Sequence, residues 1–131
     1  MIIDGKKTAA ELREELKKKV AELKSTYNAV PGLTVILVGE DPASKIYVKN
    51  KEKFAKEVGM NSEVIRYSAD LEENKLLNKI KELNKNDQVS GILVQLPLPK
   101  HINKRKVCKR SWNEFRSDQI SSRSKRKWII K

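Results

Sequence analysis

Apolar residues recur along the first hundred positions of this chain in two alternating patterns. From Thr8 onward they return every three or four positions, which is typical of an amphipathic helix, and Thr8 and Glu11 form a capping box for its first turn. Unbroken aliphatic and β-branched runs then alternate with further helical patterns. The predicted elements are a helix from Thr8 that ends before 30–32, strands at 33–38, 62–67 and 89–96, and helices at 43–58 and 71–84.

Strands that alternate with helices predict an α/β fold, with a mainly parallel sheet and helices on both of its faces. In open sheets of this kind, ligands bind at the carboxyl ends of the strands. Two stretches lie at such ends, GEDPASKIYVKNK at 39–51 after the first strand and QLPLP at 95–99 after the third. We expect the sheet to bring these two stretches together, and they define the candidate site.

The helix that follows the first strand carries Ser44, Tyr47 and Lys51 on one face, at the end near the candidate site. One interpretation is an ordinary amphipathic helix, in which Tyr47 is a half-buried aromatic residue and Lys51 a surface lysine. The other is a binding site. In that case a partly desolvated Lys51 would carry protons near neutral pH, and Tyr47 would offer its ring and hydroxyl to an aromatic ligand.

Three further polar residues lie near the candidate site. Gln95 closes a buried apolar strand, so its amide needs hydrogen-bond partners, which are either loop backbone or Lys51 or a ligand. Asp41 precedes a proline and is expected to be a turn or cap residue. His101 is the one histidine of the chain; it has no partner in the sequence around it, and we interpret it as a surface residue.

The composition restricts the setting of the protein more than its chemistry. At 131 residues the chain has the length of one modest domain. Its amino-terminal stretch is charged throughout, unlike a signal peptide, and no apolar run approaches the roughly 20 residues that span a bilayer. Cys108 is the one cysteine and has no companions at metal-ligand spacing. We therefore expect a cytoplasmic protein with no membrane segment and no metal.

The positive charge is concentrated at the end of the chain. Residues 100–131 hold 12 of the 29 Lys and Arg residues but only 2 of the 17 Asp and Glu residues, so they carry +10 of the net charge of +12. Trp112, Phe115 and Trp128 lie in the same segment. Basic residues interleaved with aromatic ones suit a nucleic-acid-binding module, which is the alternative function. The preferred interpretation is a disordered charged tail.

Several motifs together resemble the N-terminal catalytic domain of the bifunctional methylenetetrahydrofolate dehydrogenase/methenyltetrahydrofolate cyclohydrolase family. They are IIDGKKTAAELREELK at 2–17, VGEDPASKIYVKNK at 38–51 and NKNDQVSGILVQLPLPKHI at 84–102. The resemblance identifies 1–107 as the catalytic domain and leaves 108–131 as a basic, irregular tail outside the family pattern. It implies interconversion of 5,10-methylene-, 5,10-methenyl- and 10-formyl-tetrahydrofolate in one-carbon metabolism, with NADP as cofactor and a homodimer as the assembly.

The same resemblance assigns roles to the candidate residues. Tyr47 matches the tyrosine that stacks against the folate, and Lys51 matches the lysine that transfers protons in the cyclohydrolase step. Gln95 matches the glutamine that hydrogen-bonds near that lysine and tunes it, and Ser44 would line the same pocket. The expected catalytic residues are therefore Lys51, Gln95 and Tyr47, and the expected folate-binding residues are Tyr47, Ser44 and Gln95.

The chain departs from the family pattern after Val107. The family continues into a DVDGFHP element, whose second aspartate binds the pterin ring, and then into a Rossmann domain that holds NADP; this sequence shows neither, and it has no glycine-rich dinucleotide fingerprint. ISSRS at 120–124 has possible codons whose next reading frame spells Phe-His-Pro-Glu, so we hypothesise a frameshift near 104–109. We expect a truncated form without dehydrogenase activity, with weak or absent cyclohydrolase activity, and with dimerisation in doubt.

Overall fold

The computed structural model describes residues 4–113 and 128–129. Helices and strands alternate along this part of the chain, as the hydrophobic pattern predicts. In chain order the elements are α1 (Gly5–Tyr27), β1 (Gly32–Val38), α2 (Pro42–Glu57), β2 (Asn61–Tyr67), α3 (Glu73–Lys85), β3 (Gly91–Val94), α4 (Lys104–Asn113) and β4 (Trp128–Ile129).

The described strands form one parallel sheet in the order β2-β1-β3-β4. The central strand is β1, in which Val35 is in register with Val64 of β2 on one side and Leu93 of β3 on the other. Parallel strands need a crossover connection, and α2 and α3 supply the crossovers from β1 to β2 and from β2 to β3. The predicted α/β fold with a parallel sheet is confirmed.

The two faces of the sheet have separate cores, because successive residues of β1 point to opposite sides. Val35 and Leu37 pack with Val48 of α2 on one face. On the other face, Ile36 and Val38 belong to a larger cluster with buried residues of α3 and α4. The buried members from those helices are Leu76, Ile80, Leu83 and Val107. Helices therefore cover both faces of the sheet, as expected from the sequence.

The first helix begins three residues earlier than the sequence pattern predicts. Asp4 is its N-cap, and the Asp4 carboxylate accepts hydrogen bonds from the backbone N–H groups of Lys6 at 3.0 Å and Lys7 at 3.1 Å. The Thr8 hydroxyl instead donates to the Asp4 carbonyl at 3.0 Å, from inside the helix. The predicted capping box of Thr8 and Glu11 is therefore wrong, because Asp4 satisfies these first amides.

Helix α1 has few attachments to the rest of the described structure. Val20 is its one buried residue, and its side chain approaches Gly59 at the end of α2. The Arg13 guanidinium lies 4.7 Å from the centroid of the Phe54 ring and 3.7 Å from the Glu57 carboxylate. These contacts attach α1 to α2 rather than to the sheet.

The third strand is shorter than the predicted 89–96. Its regular part is Gly91–Val94, but hydrogen bonds to β1 continue beyond both ends, from Ser90 N to Gly32 O at 2.7 Å and from Gln95 N to Ile36 O at 2.9 Å. The backbone hydrogen bond from Gln95 to Ile36 therefore fixes Gln95 at the carboxyl end of β3.

The expected boundary at residue 107 lies inside α4, which runs from Lys104 to Asn113. The expectation of an irregular tail is wrong for 108–113, which are helical, and for 128–129, which pair with β3. The rest of the tail, including ISSRS at 120–124, lies outside the described residues. Within the described part of the chain, no helix combines the length and the apolar character needed to cross a membrane.

Candidate functional site

The turn between β1 and α2 sets the position of the candidate site. Gly39 leaves the strand with a φ angle of +92°, a conformation that residues with a Cβ atom rarely adopt. Asp41 then caps α2, since its carboxylate accepts the backbone N–H of Ser44 at 2.7 Å. The prediction that Asp41 is a cap residue is confirmed. The neighbouring Ser44 hydroxyl and the Ser44 N–H hold the pKa of the Asp41 carboxyl below its ordinary value.

Ser44 joins α2 to the segment that follows β3. Its side chain is buried, with 2% of its surface exposed, and its hydroxyl donates to the Leu96 carbonyl at 3.3 Å. Leu96 is followed by a cis peptide bond to Pro97. This bond connects two stretches that are 52 positions apart in the sequence, and they are the two stretches expected to meet.

Lys51 and Gln95 meet at the centre of the site. The Lys51 side-chain nitrogen Nζ donates to Gln95 Oε1 at 2.7 Å, and Gln95 Nε2 donates to the Leu96 carbonyl at 2.8 Å. Both side chains are partly buried. The sequence left open whether the Gln95 amide bonds to loop backbone or to Lys51, and the structure contains both bonds.

Tyr47 lies one helical turn before Lys51 and remains accessible. Its side chain is 61% exposed, and Lys51 Nζ lies 5.9 Å from the centroid of its ring. That distance is at the outer limit of a cation–π contact, so the Lys51 amine and the Tyr47 ring border the same space. A flat ligand stacked on the exposed ring would therefore come close to the amine.

The surroundings of Lys51 suit proton transfer. Among the described residues, no carboxylate lies within ion-pair distance of Lys51, and its hydrogen-bond partner Gln95 is neutral. A neutral amide orients the amine through one hydrogen bond. The other bonding positions of the nitrogen stay available to a ligand or a water molecule.

The structure also contains contacts near the site that the sequence did not indicate. His101 is exposed, as expected, but its Nε2 lies 2.8 Å from the Leu71 carbonyl and donates to it. The Glu73 carboxylate accepts the Asn103 N–H at 2.6 Å and pairs with Lys106 at 2.8 Å. These contacts anchor the segment after Gln95 to α3. Their partners lie about thirty positions apart, so no local sequence pattern could have identified them.

No metal centre accompanies the site in the part of the chain that the structure describes. No group of three or more His, Cys, Asp and Glu side chains is placed there to hold a metal ion.

Comparisons with known proteins agree on one family. Residues 3–111 match the family described as tetrahydrofolate dehydrogenase/cyclohydrolase, catalytic domain. The bifunctional protein FolD of Pelagibacter ubique is 64% identical over 107 residues, which are 82% of this chain and 38% of that protein. This chain therefore spans less than two fifths of the length of that curated relative.

Solved structures give the same result. The bifunctional FolD dehydrogenase/cyclohydrolase of Campylobacter jejuni superimposes with a TM-score of 0.79 at 47% identity, covering 82% of this chain and 38% of that one. FolD of Trypanosoma brucei, solved with NADP cofactor and an inhibitor, gives a TM-score of 0.80 at 32% identity, covering 84% of this chain and 37% of that one. The similarity in each case extends over most of this chain.

Proposed function

The chain belongs to the tetrahydrofolate dehydrogenase/cyclohydrolase family through its catalytic domain, and we propose that its site at Tyr47, Lys51 and Gln95 binds a folate and serves the cyclohydrolase step of one-carbon metabolism. In this step, the 5,10-methenyl-tetrahydrofolate cation and water give 10-formyl-tetrahydrofolate and a proton. The family as a whole would also interconvert the 5,10-methylene and 5,10-methenyl forms.

The observation that carries the proposal is the Lys51–Gln95 hydrogen bond of 2.7 Å beside the exposed ring of Tyr47. The methenyl carbon of the substrate is electron-poor, because it shares the positive charge of its two nitrogen neighbours. Water adds to this carbon and must lose a proton, after which one carbon–nitrogen bond breaks and leaves the formyl group on the other nitrogen. A positioned amine is a suitable acceptor for that proton.

Each residue has a distinct proposed role in this step. Tyr47 stacks against the folate and places the methenyl carbon near the amine. Lys51 accepts the first proton of the attacking water and gives it to the departing nitrogen. The second proton, on the hydroxyl of the adduct, is released to solvent as the formyl C=O bond forms and the carbon–nitrogen bond breaks. Gln95 accepts one N–H of Lys51 and so directs the remaining positions of the nitrogen toward the substrate. Ser44 was expected from the sequence to contact the folate, although its side chain is buried.

The residues near this site do not fit NADP, the cofactor that the family implies. The turn after β1 is where a nucleotide pyrophosphate could meet the first amides of α2, but the Asp41 carboxylate already accepts the Ser44 N–H at 2.7 Å. An anion there would face a second negative charge. We therefore derive no hydride-transfer step from these residues.

The homodimer of the family, a cytoplasmic location and a division of the chain at residue 107 remain proposals for this protein, although the family match continues to residue 111. The nucleic-acid alternative receives no support from the comparisons, because every reported similarity is to folate enzymes. Most of the basic tail on which it depended lies outside the described residues.

The experiment is hydrolysis of 5,10-methenyl-tetrahydrofolate by the purified chain, followed through the loss of methenyl absorbance. We expect an acceleration over buffer that is weak for a member of this family, and Lys51→Met should remove it, because the general base is lost. Lys49→Met is the matched control, since Lys49 is an exposed lysine on the same helix. Equal rates for Lys51→Met and the unsubstituted chain would contradict the proposal.

A further inference from the structure

The backbone carbonyl of Leu96 accepts two hydrogen bonds from different directions. Gln95 Nε2 donates to it at 2.8 Å, and the Ser44 hydroxyl donates to it at 3.3 Å. A carbonyl oxygen has two lone pairs, so this atom is fully used by the two side chains. Leu96 O is thus the point at which α2 and the end of β3 are joined.

These two bonds determine which way the Gln95 amide faces. With Nε2 directed at the Leu96 carbonyl, Oε1 faces Lys51 Nζ at 2.7 Å. The opposite orientation would place the amide NH₂ against the amine and the amide oxygen against the carbonyl oxygen. Both contacts would then be repulsive, because donors would face donors and acceptors would face acceptors. The position of the Leu96 carbonyl therefore decides whether Gln95 can accept from Lys51.

Ser44 and Lys51 both belong to α2, seven positions apart, and lie on the same face of that helix. Ser44, Leu96 O, Gln95 and Lys51 are consequently linked in one hydrogen-bond network. Helix α2 connects the two ends of this network, because it carries both Ser44 and Lys51. Only 2% of Ser44 is exposed, and its hydroxyl has two acceptors within the protein, Leu96 O at 3.3 Å and the Asp41 carboxylate. Little surface of this side chain is left for a substrate to contact.

We propose that Ser44 is a positioning residue for the cyclohydrolase site, acting through the Leu96 carbonyl on the Gln95 amide rather than by touching the folate. This inference rests on the proposed function for its kinetic consequence. Its geometric consequence does not depend on that function. Ser44 holds the Leu96 carbonyl where it orients Gln95, and Gln95 in turn orients the Lys51 amine.

The first test is structural and uses the unsubstituted chain. In ¹⁵N-resolved NMR spectra, one Gln95 side-chain amide proton should exchange with water at least tenfold more slowly than those of Gln88, an exposed glutamine of the same chain. In Ser44→Ala this protection should fall severalfold and the Gln95 amide signals should shift. Ser25→Ala is the matched control, because the Ser25 hydroxyl also donates to a backbone carbonyl, that of Glu22, at 3.0 Å on exposed α1.

The second test is kinetic. Loss of one hydrogen bond that acts on orientation should lower kcat for methenyl-tetrahydrofolate hydrolysis about fivefold in Ser44→Ala, with KM changed less than twofold. Ser44→Thr, which keeps the hydroxyl, should recover most of that loss. A raised KM with kcat and the Gln95 signals unchanged would overturn the inference and make Ser44 a substrate contact.

The two proposals can fail separately. If the unsubstituted chain hydrolyses no methenyl substrate, the proposed function fails, while the NMR comparison still decides the role of Ser44. If Gln95 exchanges as fast as Gln88 in the unsubstituted chain, the positioning role is refuted whatever the activity. That measurement needs no variant, so it holds even where Ser44→Ala fails to fold.

Discussion

At the scale of single residues, Gln95 shows how a polar side chain at the end of a buried strand is used. A half-buried amide without partners would be destabilising, and here each end of the amide has one, Lys51 at the oxygen and the Leu96 carbonyl at the nitrogen. The same two bonds that satisfy the amide also orient the amine. Gln95, whose amide would destabilise the fold if it were unpaired, is therefore also the residue that orients Lys51.

Replacing Gln95 by glutamate tests this at the residue scale. A carboxylate in place of the amide would form an ion pair with Lys51 and hold its nitrogen away from the substrate. Gln95→Glu should therefore lower the hydrolysis rate about tenfold, which corresponds to about 1.4 kcal/mol. Hydrolysis rates measure this, with Gln88→Glu as control. Equal rates for both variants would show that the neutral amide is not required.

At the scale of elements, the junctions between helices and strands hold the site more than the strands do. The sheet depends on a close approach at Gly32, where an added Cβ atom would lie 2.1 Å from the Gln88 carbonyl oxygen. Helix α4 is tied to α3 through Glu73, which receives both the Asn103 N–H and Lys106. Each junction makes its own prediction.

Gly32→Ala should lower the free energy of unfolding by about 1–3 kcal/mol, because the new methyl group meets fixed backbone rather than a movable side chain. Urea denaturation measures the change. Gly5→Ala is the control, since a Cβ at Gly5 meets nothing within 4 Å and lies in a helix, where alanine is preferred. A stable Gly32→Ala would mean that the approach of the two backbones is not needed.

Glu73 predicts a dependence of stability on pH. The Lys106 ammonium and the Asn103 N–H lower the pKa of the Glu73 carboxyl in the folded chain. A lowered folded-state pKa means that this contribution to stability is present above the pKa of unfolded glutamate, near 4.3, and is lost as the pH falls through the folded value. Glu73→Gln should therefore lower the urea midpoint at pH 7 and have little effect in acid.

The comparison for Glu73 is Glu82→Gln on the same helix. Glu82 pairs with Lys79 at 2.9 Å, but its side chain is 70% exposed, and such surface pairs contribute little. Equal loss of stability in the two glutamine variants at pH 7 would show that the link between α3 and α4 adds nothing beyond an ordinary surface pair.

At the scale of the whole molecule, stability is unevenly distributed between α1 and the rest. Helix α3 buries Leu76, Ile80 and Leu83 against the sheet, whereas α1 buries Val20 alone. Large apolar side chains of α1 remain exposed, among them Leu12, Leu16, Leu23 and Tyr27. A helix that buries so little has small tertiary support and should open locally before the sheet does.

Native-state hydrogen exchange measured by mass spectrometry tests this difference. Amides of α1 should exchange through local opening at least tenfold faster than those of α3. Arg13→Ala should increase the α1 rate a few fold further, because Arg13 contacts Phe54 and Glu57 of α2. Lys19→Ala is the control, since Lys19 pairs only with Glu15 inside α1. Equal exchange in α1 and α3 would contradict the expectation.

Much of the fold follows from the sequence, because hydrophobic periodicity is local. The alternation of helices and strands follows from local patterns in the sequence. This alternation in turn predicts the parallel sheet, and the sheet predicts that 39–51 and 95–99 meet. The same sequence patterns, together with the family resemblance, identified the candidate residues Tyr47, Lys51 and Gln95. Their roles in catalysis remain predictions.

Other features were decided only by the tertiary structure, and most of them depend on contacts between distant positions. Helix α4 continued past the expected boundary at residue 107, where Val107 packs against the sheet. The cap of α1 is a local exception, since Asp4 displaced Thr8 through hydrogen bonds from Lys6 and Lys7. The joint use of the Leu96 carbonyl by Ser44 and Gln95 involves residues 52 positions apart. A backbone carbonyl has no signature in the sequence, because every residue carries one. Its position is set by the packing of α2 against the sheet, and that packing turned Ser44 from an expected folate contact into a proposed support for Gln95.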